Sequence, residues 1–166
     1  MIETSLRISI DMDDCLNYWY DIYFERFGRN RKDHEITHDV WNILRKDYDF
    51  WINLPIKNYP DFIPASYCTS RVIKKKWIKD YIKKHGLPNS PVYQVFGFGR
   101  SKAPMLKGKC DVMIDDSPKN FIDLNNKGIP CLLMDSPYNR SFDTPMRVYS
   151  LHYEEIVNVY NEFFSR

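Results

Sequence analysis

The stretch Arg7-Ile8-Ser9-Ile10-Asp11-Met12-Asp13-Asp14-Cys15-Leu16 decides how the rest of this chain is read. A short apolar run of this kind suits a strand buried on both faces. It ends on two carboxylates two positions apart, Asp11 and Asp13. Charges delivered by a buried strand need a metal, a proton or a substrate to be tolerated. A second acidic pair, Asp115-Asp116, closes another apolar run, Cys110-Asp111-Val112-Met113-Ile114. The two pairs would meet if both runs lie in one sheet.

Working outward, further buried strands are expected at Ala65–Cys68, Val92–Phe96 and Ile129–Met134, beside those at Arg7–Ile10 and Asp111–Ile114. Helical patterns separate them. Val72–His85 places Ile73, Trp77, Ile78, Tyr81 and Ile82 on one stripe, fills the other face with lysines, and meets Gly86 as a helix stop. A second helix is expected from Ser117-Pro118 to Gly128, and a third over His152–Phe164. Strand and helix in alternation predict an α/β fold with a central parallel sheet and right-handed crossovers. The segment Asn17–Pro64 breaks this rhythm. It is long, aromatic and mostly helical in pattern, and it reads as a small cap inserted over the sheet. The expected organisation is one domain, with a core formed by 1–16 and 65–166 and a cap formed by 17–64.

Composition narrows the classes. The 166 residues are enough for a full core. A net charge of +2 does not mark nucleic acid as the main partner. No apolar stretch is long enough to span a bilayer, and the N-terminus does not read as a signal peptide. Cys15, Cys68, Cys110 and Cys131 lie in or beside apolar runs, which suits buried reduced thiols and a cytoplasmic location.

In open α/β sheets, ligands bind beyond the carboxyl ends of the strands. There the sequence offers Asp11 and Asp13, then Thr69 and Ser70, then Lys102, then Asp115 and Asp116. Carboxylates suit a hard divalent cation such as Mg²⁺. Hydroxyls, backbone N–H groups and an ammonium suit a phosphoryl group. The inventory points to Mg²⁺-dependent phosphoryl transfer.

The ordered set Asp11-Met12-Asp13, Thr69-Ser70, Lys102 and Asp115-Asp116 resembles the four motifs of the haloacid dehalogenase-type phosphatases. Within them it is most similar to the 5'(3')-deoxyribonucleotidases, through Asp11–Trp19, Phe50–Pro55, Tyr67–Arg71, Met113–Pro118 and Pro137-Tyr138-Asn139-Arg140. The resemblance implies a Rossmann-like three-layer sandwich with a helical cap after the first strand. It implies Asp11 as the nucleophile that forms an aspartyl-phosphate and Asp13 as general acid and base, its pKa raised by the neighbouring acids. It implies Mg²⁺ held by Asp11, the Asp13 backbone carbonyl and Asp115, with Asp116 one layer behind. Thr69 and Lys102 would stabilise the transferring phosphoryl group. Trp19 falls where the family places an aromatic that stacks on the base; Trp41, Phe50 and Trp51 are further candidates, and core packing is the competing reading for all four. The implied substrate is a small phosphomonoester, above all a deoxynucleotide, and a homodimer is compatible.

The chain departs from the family pattern at three points. Asp14 stands where glycine is usual. Cys15 stands where valine or threonine is usual. The interval from Lys102 to Asp115 is slightly long, which keeps Lys107 and Lys109 open as the functional lysine. Other readings stay in play: a phosphatase of the same fold acting on a polynucleotide 3'-phosphate or a sugar phosphate, or a phosphate-binding module without catalysis. His34-Glu35-Ile36-Thr37-His38 matches a zinc-peptidase motif, but it follows a polar loop-like stretch, and Thr37 reads better as a helix cap.

Overall fold

The structure, a computed structural model, describes residues 5–28, 37–96 and 99–165. Its strands are β1 (Ile8–Ile10), β2 (Ser66–Thr69), β3 (Val92–Gln94), β4 (Val112–Asp115), β5 (Cys131–Met134) and β6 (Arg147–Val148). They form one sheet in the order β3-β2-β1-β4-β5-β6, and every pairing is parallel. β1 is therefore central, with Ile10 beside Tyr67 of β2 and Ile114 of β4. This order is that of a Rossmann-like doubly wound sheet, whose chain reverses direction of travel beside β1.

Alternation along the strands assigns two faces. Ile8, Ile10, Val112, Ile114, Leu132 and Met134 join one core. Cys68, Met113, Cys131 and Leu133 join another on the opposite side. The first face is covered by α4 (Lys75–Lys84) and α7 (Tyr153–Phe164), through Ile78, Ile82 and Ile156. The second is covered by α5 (Ala103–Leu106) and α6 (Pro118–Asn126), through Leu106, Phe121 and Leu124. The result is a three-layer α/β sandwich.

Between β1 and β2 run α1 (Trp19–Phe27), α2 (His38–Leu44) and α3 (Tyr48–Ile52). Asp47 caps α3 by accepting from the Phe50 N–H at 2.9 Å, and it pairs with Arg26 of α1 at 2.6 Å. Trp51 Nε1 donates to the Leu44 carbonyl at 2.7 Å and closes α3 onto α2. Buried Trp19, Tyr23, Phe50 and Trp51 belong to the same core as Ile8 and Ile10. The described residues of the insertion thus pack onto the first face of the sheet and share its core.

The expected strands and long helices are present with shifted ends. α4 starts at Lys75, three residues after Val72, because the chain from Arg71 to Ile73 is held by Gln94 Nε2, which donates to the Ile73 carbonyl at 2.9 Å. Gly86 and Gly128 follow α4 and α6 with φ of 63° and 73°, the left-handed geometry a helix stop requires. Ser117 caps α6 and Pro118 opens it. Two elements are additions. α5 is a single turn, and β6 has only two residues, so neither carries enough periodicity to announce itself. All four cysteines are free and buried. No helix among the described residues is long and apolar enough to cross a membrane.

The chain leaving β5 is tied down by charge. Asp135 accepts from Arg140 at 2.8 Å and Arg147 at 3.2 Å, and Arg147 also reaches Asn139 at 2.7 Å. The hydrogen bond from Arg140, with the charges of Arg140 and Arg147, holds the Asp135 carboxyl below the usual carboxylate range. A depressed folded-state pKa contributes stability above the unfolded value, and that contribution fades as pH falls through the folded one. Asp135→Asn should therefore lower unfolding free energy by about 1–3 kcal/mol at pH 7. The gap to wild type should narrow below roughly pH 4, as read by urea melts across pH.

Candidate functional site

The site grows from the ends of three neighbouring strands. Asp11 follows β1 directly, and its N–H donates to the Ile114 carbonyl at 2.9 Å, extending the sheet by one residue. Thr69 is the last residue of β2 and Asp115 the last of β4. After Asp11 the chain turns tightly: the N–H groups of Leu16 and Asn17 both return to the Met12 carbonyl, at 3.0 and 3.3 Å. That turn holds Asp13, Asp14 and Cys15 over the strand ends.

Lys102 caps the first turn of α5 and sends its ammonium inward. Its Nζ lies 2.5 Å from Asp11 Oδ1 and 2.6 Å from Asp115 Oδ2. Burial opposes the ammonium charge, but Asp11 and Asp115 outweigh it and raise the Lys102 pKa well above its ordinary value. Lys107 and Lys109 are exposed, and Lys109 lies 4.1 Å from the Tyr93 ring centroid. Lys102 is thus the lysine placed among the acids.

The two acids at the end of β4 have different surroundings. Asp115 accepts from the Ser117 N–H at 2.9 Å and from Asn120 Nδ2 at 3.1 Å, in addition to Lys102. Its neighbour Asp116 shares a group with Asp11 and Cys15, whose ligand atoms all lie within 4.8 Å of one another. The sequence reading put Asp115 at the metal and Asp116 behind it; the structure brings Asp116, not Asp115, into the group with Asp11. Asp116 is held by the Tyr138 hydroxyl, which donates to its carboxylate and lies 3.0 Å from its carbonyl. Asn139 Nδ2 donates to the same carbonyl at 2.7 Å. Burial, then the charge of Asp11, raises the Asp116 pKa well above the usual range. Burial also raises Asp11, to about 6, against the pull of Lys102. Asp14 is raised to about 7, again by burial.

This group could hold a metal ion. Asp11, Asp14, Asp115 and Asp116 are buried and Asp13 is half-buried, while Lys102 and Arg71 are the buried cations among the described residues. The carboxyl groups outnumber the buried cations, and their raised pKa values show the cost of charging them together, which a divalent cation would offset. The donor set also speaks to the kind of ion. Burial, then the Asp116 charge, pushes the Cys15 thiol well above its ordinary pKa. Its Sγ points at the Ile114 carbonyl at 3.8 Å. The other two members of the group, Asp11 and Asp116, are carboxylates, oxygen donors that suit a hard cation.

Asp13 does not stand free among the acids. Its carboxylate pairs with the guanidinium of Arg71, whose plane lies 4.3 Å over the Trp51 ring. Burial lowers the Arg71 pKa, while Asp11 raises it. Thr69 Oγ1 accepts from the Arg71 N–H at 3.1 Å instead of capping a helix, since α4 begins later. Ser70 is exposed just beyond. Arg71, Tyr138 and Asn139 are contributors that residue type alone did not single out. All three lie inside the stretches Tyr67–Arg71 and Pro137–Arg140 on which the resemblance rests.

The aromatic candidates are packed. Trp19 stacks on Tyr23 with centroids 4.9 Å apart and sits 6.3 Å from Trp51. Trp41 meets Trp51 edge-on at 6.2 Å, and Phe50 does so at 5.1 Å. Trp19, Phe50 and Trp51 are buried, and Trp41 packs against them from the edge. None of the four lines the cavity of about 220 Å³ beside Asp14 and Tyr138. In the zinc-peptidase lookalike, His34, Glu35 and Ile36 lie outside the described residues, while Thr37 precedes α2 and His38 is exposed on its first turn.

No protein-family model matches this chain, and a search of curated proteins finds no match.

Replacing Lys102 by methionine would leave Asp11 and Asp115 buried against each other with no cation. The expected loss is about 3–5 kcal/mol of unfolding free energy. Lys107→Met and Lys109→Met should stay within about 0.5 kcal/mol of wild type. Equal effects for all three lysines in denaturant titrations would contradict this placement.

Proposed function

We propose that the protein is a Mg²⁺-dependent phosphomonoesterase acting on nucleoside or deoxynucleoside monophosphates through an aspartyl-phosphate. The observation that carries this reading is the meeting of Asp11, Thr69, Lys102 and Asp115 beyond three adjacent parallel strands, with acid in excess of buried cations. The resemblance to the haloacid dehalogenase-type phosphatases supports it in the same order of residues.

Each side chain has a task in this reading. Asp11 attacks phosphorus. It retains 9% side-chain exposure where Asp115 has none, so it is the carboxylate a substrate can reach. Its bond to Lys102 aims one oxygen into the protein and leaves the other for attack. Asp13, with 25% side-chain exposure, is placed to exchange protons with solvent. It protonates the departing oxygen, then takes a proton from the water that hydrolyses the aspartyl-phosphate. Arg71 positions it. Thr69 and Lys102 face the phosphoryl oxygens and stabilise charge that grows there. Asp11 and Asp116, with the Asp13 carbonyl, would hold the cation, which when bound would neutralise phosphate charge and polarise the phosphorus. Asp115 keeps Lys102 and the start of α6 in register. This departs from the expected order, in which Asp115 held the metal.

A panel of nucleotides and sugar phosphates, assayed for phosphate release with and without Mg²⁺, tests the reading. Release from nucleoside monophosphates in the presence of Mg²⁺ is expected. No release from any phosphomonoester contradicts it, and release from sugar phosphates alone discards the nucleotide assignment. Asp11→Asn should reduce turnover to background. Thr69→Ala should lower kcat by roughly 10²–10³-fold, the scale of one lost transition-state hydrogen bond.

A further inference from the structure

The two oxygens of Asp116 have different surroundings. Oδ1 lies 4.0 Å from Cys15 Sγ, on the side of the group that Asp116 forms with Asp11 and Cys15. Oδ2 accepts the hydrogen bond that the Tyr138 hydroxyl donates. A tyrosine hydroxyl carries one proton and is neutral near pH 7, so toward a carboxylate it is the donor. Several contacts fix where that hydroxyl stands. The Tyr138 ring lies 4.9 Å from the Tyr20 ring, tilted at 54°. The next residue, Asn139, is buried and donates from Nδ2 to the Asp116 carbonyl at 2.7 Å and to the Met134 carbonyl at 2.8 Å. Its Oδ1 accepts from the Ser136 N–H at 3.1 Å. Adjacent residues of one loop therefore grip Asp116 at its backbone and at one carboxylate oxygen, which sets the carboxylate's orientation as well as its position.

Cations differ in what they ask of a carboxylate. Mg²⁺ takes its oxygens at about 2.0–2.1 Å in near-ideal octahedral geometry. The two oxygens of one carboxylate stand too close together to fill two neighbouring octahedral positions, so each carboxylate gives this ion one oxygen. Ca²⁺ is larger, takes roughly six to eight oxygens at about 2.3–2.6 Å, and accepts a carboxylate through one oxygen or both. Turning both Asp116 oxygens onto one cation would break the hydrogen bond from Tyr138. That cost falls on Ca²⁺ and spares Mg²⁺.

We propose that Tyr138 is a positioning residue that confines Asp116 to one-oxygen ligation, and so favours a small octahedral cation over Ca²⁺ at the site of Asp11 and Asp116. The inference rests on the metal-dependent reading above, and adds to it a residue outside the ligand set that governs the choice of ion. The competing account is that Tyr138 only anchors the loop after β5. Anchoring predicts that loss of the hydroxyl weakens both cations by the same factor, or neither.

The test uses the full chain as wild type, Tyr138→Phe, Tyr138→Leu, Asp135→Asn and Asp116→Asn, with folding checked by circular dichroism. Tyr138→Phe removes the hydroxyl and keeps the ring against Tyr20; Tyr138→Leu removes the hydroxyl with a different side chain. Asp135→Asn loosens the same loop through its arginines without touching the Asp116 carboxylate. Mn²⁺, an ion that suits oxygen ligands, is bound to the protein and followed by electron paramagnetic resonance while Mg²⁺ or Ca²⁺ displaces it. Neither substrate nor turnover is involved. Asp116→Asn should weaken Mn²⁺ at least roughly tenfold, which places the ion. Loss of the Tyr138 hydroxyl should weaken Mg²⁺ by roughly 10–100-fold, the scale of a lost partner behind a metal ligand. Ca²⁺ should weaken less, so that the ratio of Ca²⁺ to Mg²⁺ affinity rises roughly tenfold or more, the scale of one hydrogen bond to a charged acceptor. In Asp135→Asn the ratio should stay at the wild-type value. Equal changes for both cations in the folded Tyr138 variants overturn the proposal, as does an equal rise of the ratio in Asp135→Asn. Mn²⁺ binding that survives Asp116→Asn overturns it too, and absence of Mn²⁺ binding to wild type removes it together with the metal reading. A protein that shows the ratio shift but releases no phosphate from any phosphomonoester loses the phosphatase reading and keeps this one.

Discussion

The buried ammonium of Lys102, shared between Asp11 and Asp115, is the interaction on which this molecule's architecture turns. Two carboxylates at the ends of adjacent strands repel in a low-dielectric interior, and a cation between them offsets the cost of bringing β1 and β4 together there. Lys102 supplies it from α5, on the face opposite the helical insertion. One ammonium therefore links both core layers to the strand ends. It also divides the acids by role: Asp115 is consumed in structure by Lys102, Asn120 and the start of α6, while Asp11 keeps a reachable oxygen.

What the lysine leaves over is the interesting quantity. Asp11 and Asp116 still face each other, and Asp14 lies close by, all with pKa values raised by burial. Such buried acids are relieved either by protonation or by a counter-charge arriving from outside. A divalent cation held by Asp11 and Asp116 would offset this excess. Tyr138 and Asn139 hold Asp116 from the loop after β5, and Asp135, Arg147 and β6 hold that loop in turn. The far edge of the sheet thus contributes to the geometry of its centre.

Much of this was legible in the sequence because it depends on short-range pattern. Continuous apolar runs marked five strands, and an acid, a hydroxyl or a lysine after the first four marked the candidate site. The pattern could not say which way neighbouring acids face. Asp115 ends β4 and Asp116 follows it, and successive side chains leave a strand on opposite sides; only the turn into α6, with the Ser117 N–H on Asp115, settles which one meets Asp11. The Asp13–Arg71 pair was hidden for a related reason, since it joins the turns after two different strands. The aromatics of the insertion were ambiguous by nature, because a tryptophan that stacks on a ligand and one that stacks on Tyr23 are the same residue type. Asp14 was visible as an oddity, but its positive φ of 55° and its buried oxygen without a hydrogen-bond partner are properties of the folded turn alone.

The account stands or falls on whether Asp11 becomes covalently phosphorylated. Wild-type protein mixed with Mg²⁺ and a hydrolysable phosphomonoester, quenched in acid within a single turnover and digested, allows the peptide containing Asp11 to be weighed. The account predicts a phosphoryl adduct on Asp11, stable in acid and released by hydroxylamine as an acyl phosphate should be, and absent in Asp11→Asn. Turnover with no adduct on that peptide, or with the phosphoryl group on another residue, would contradict it.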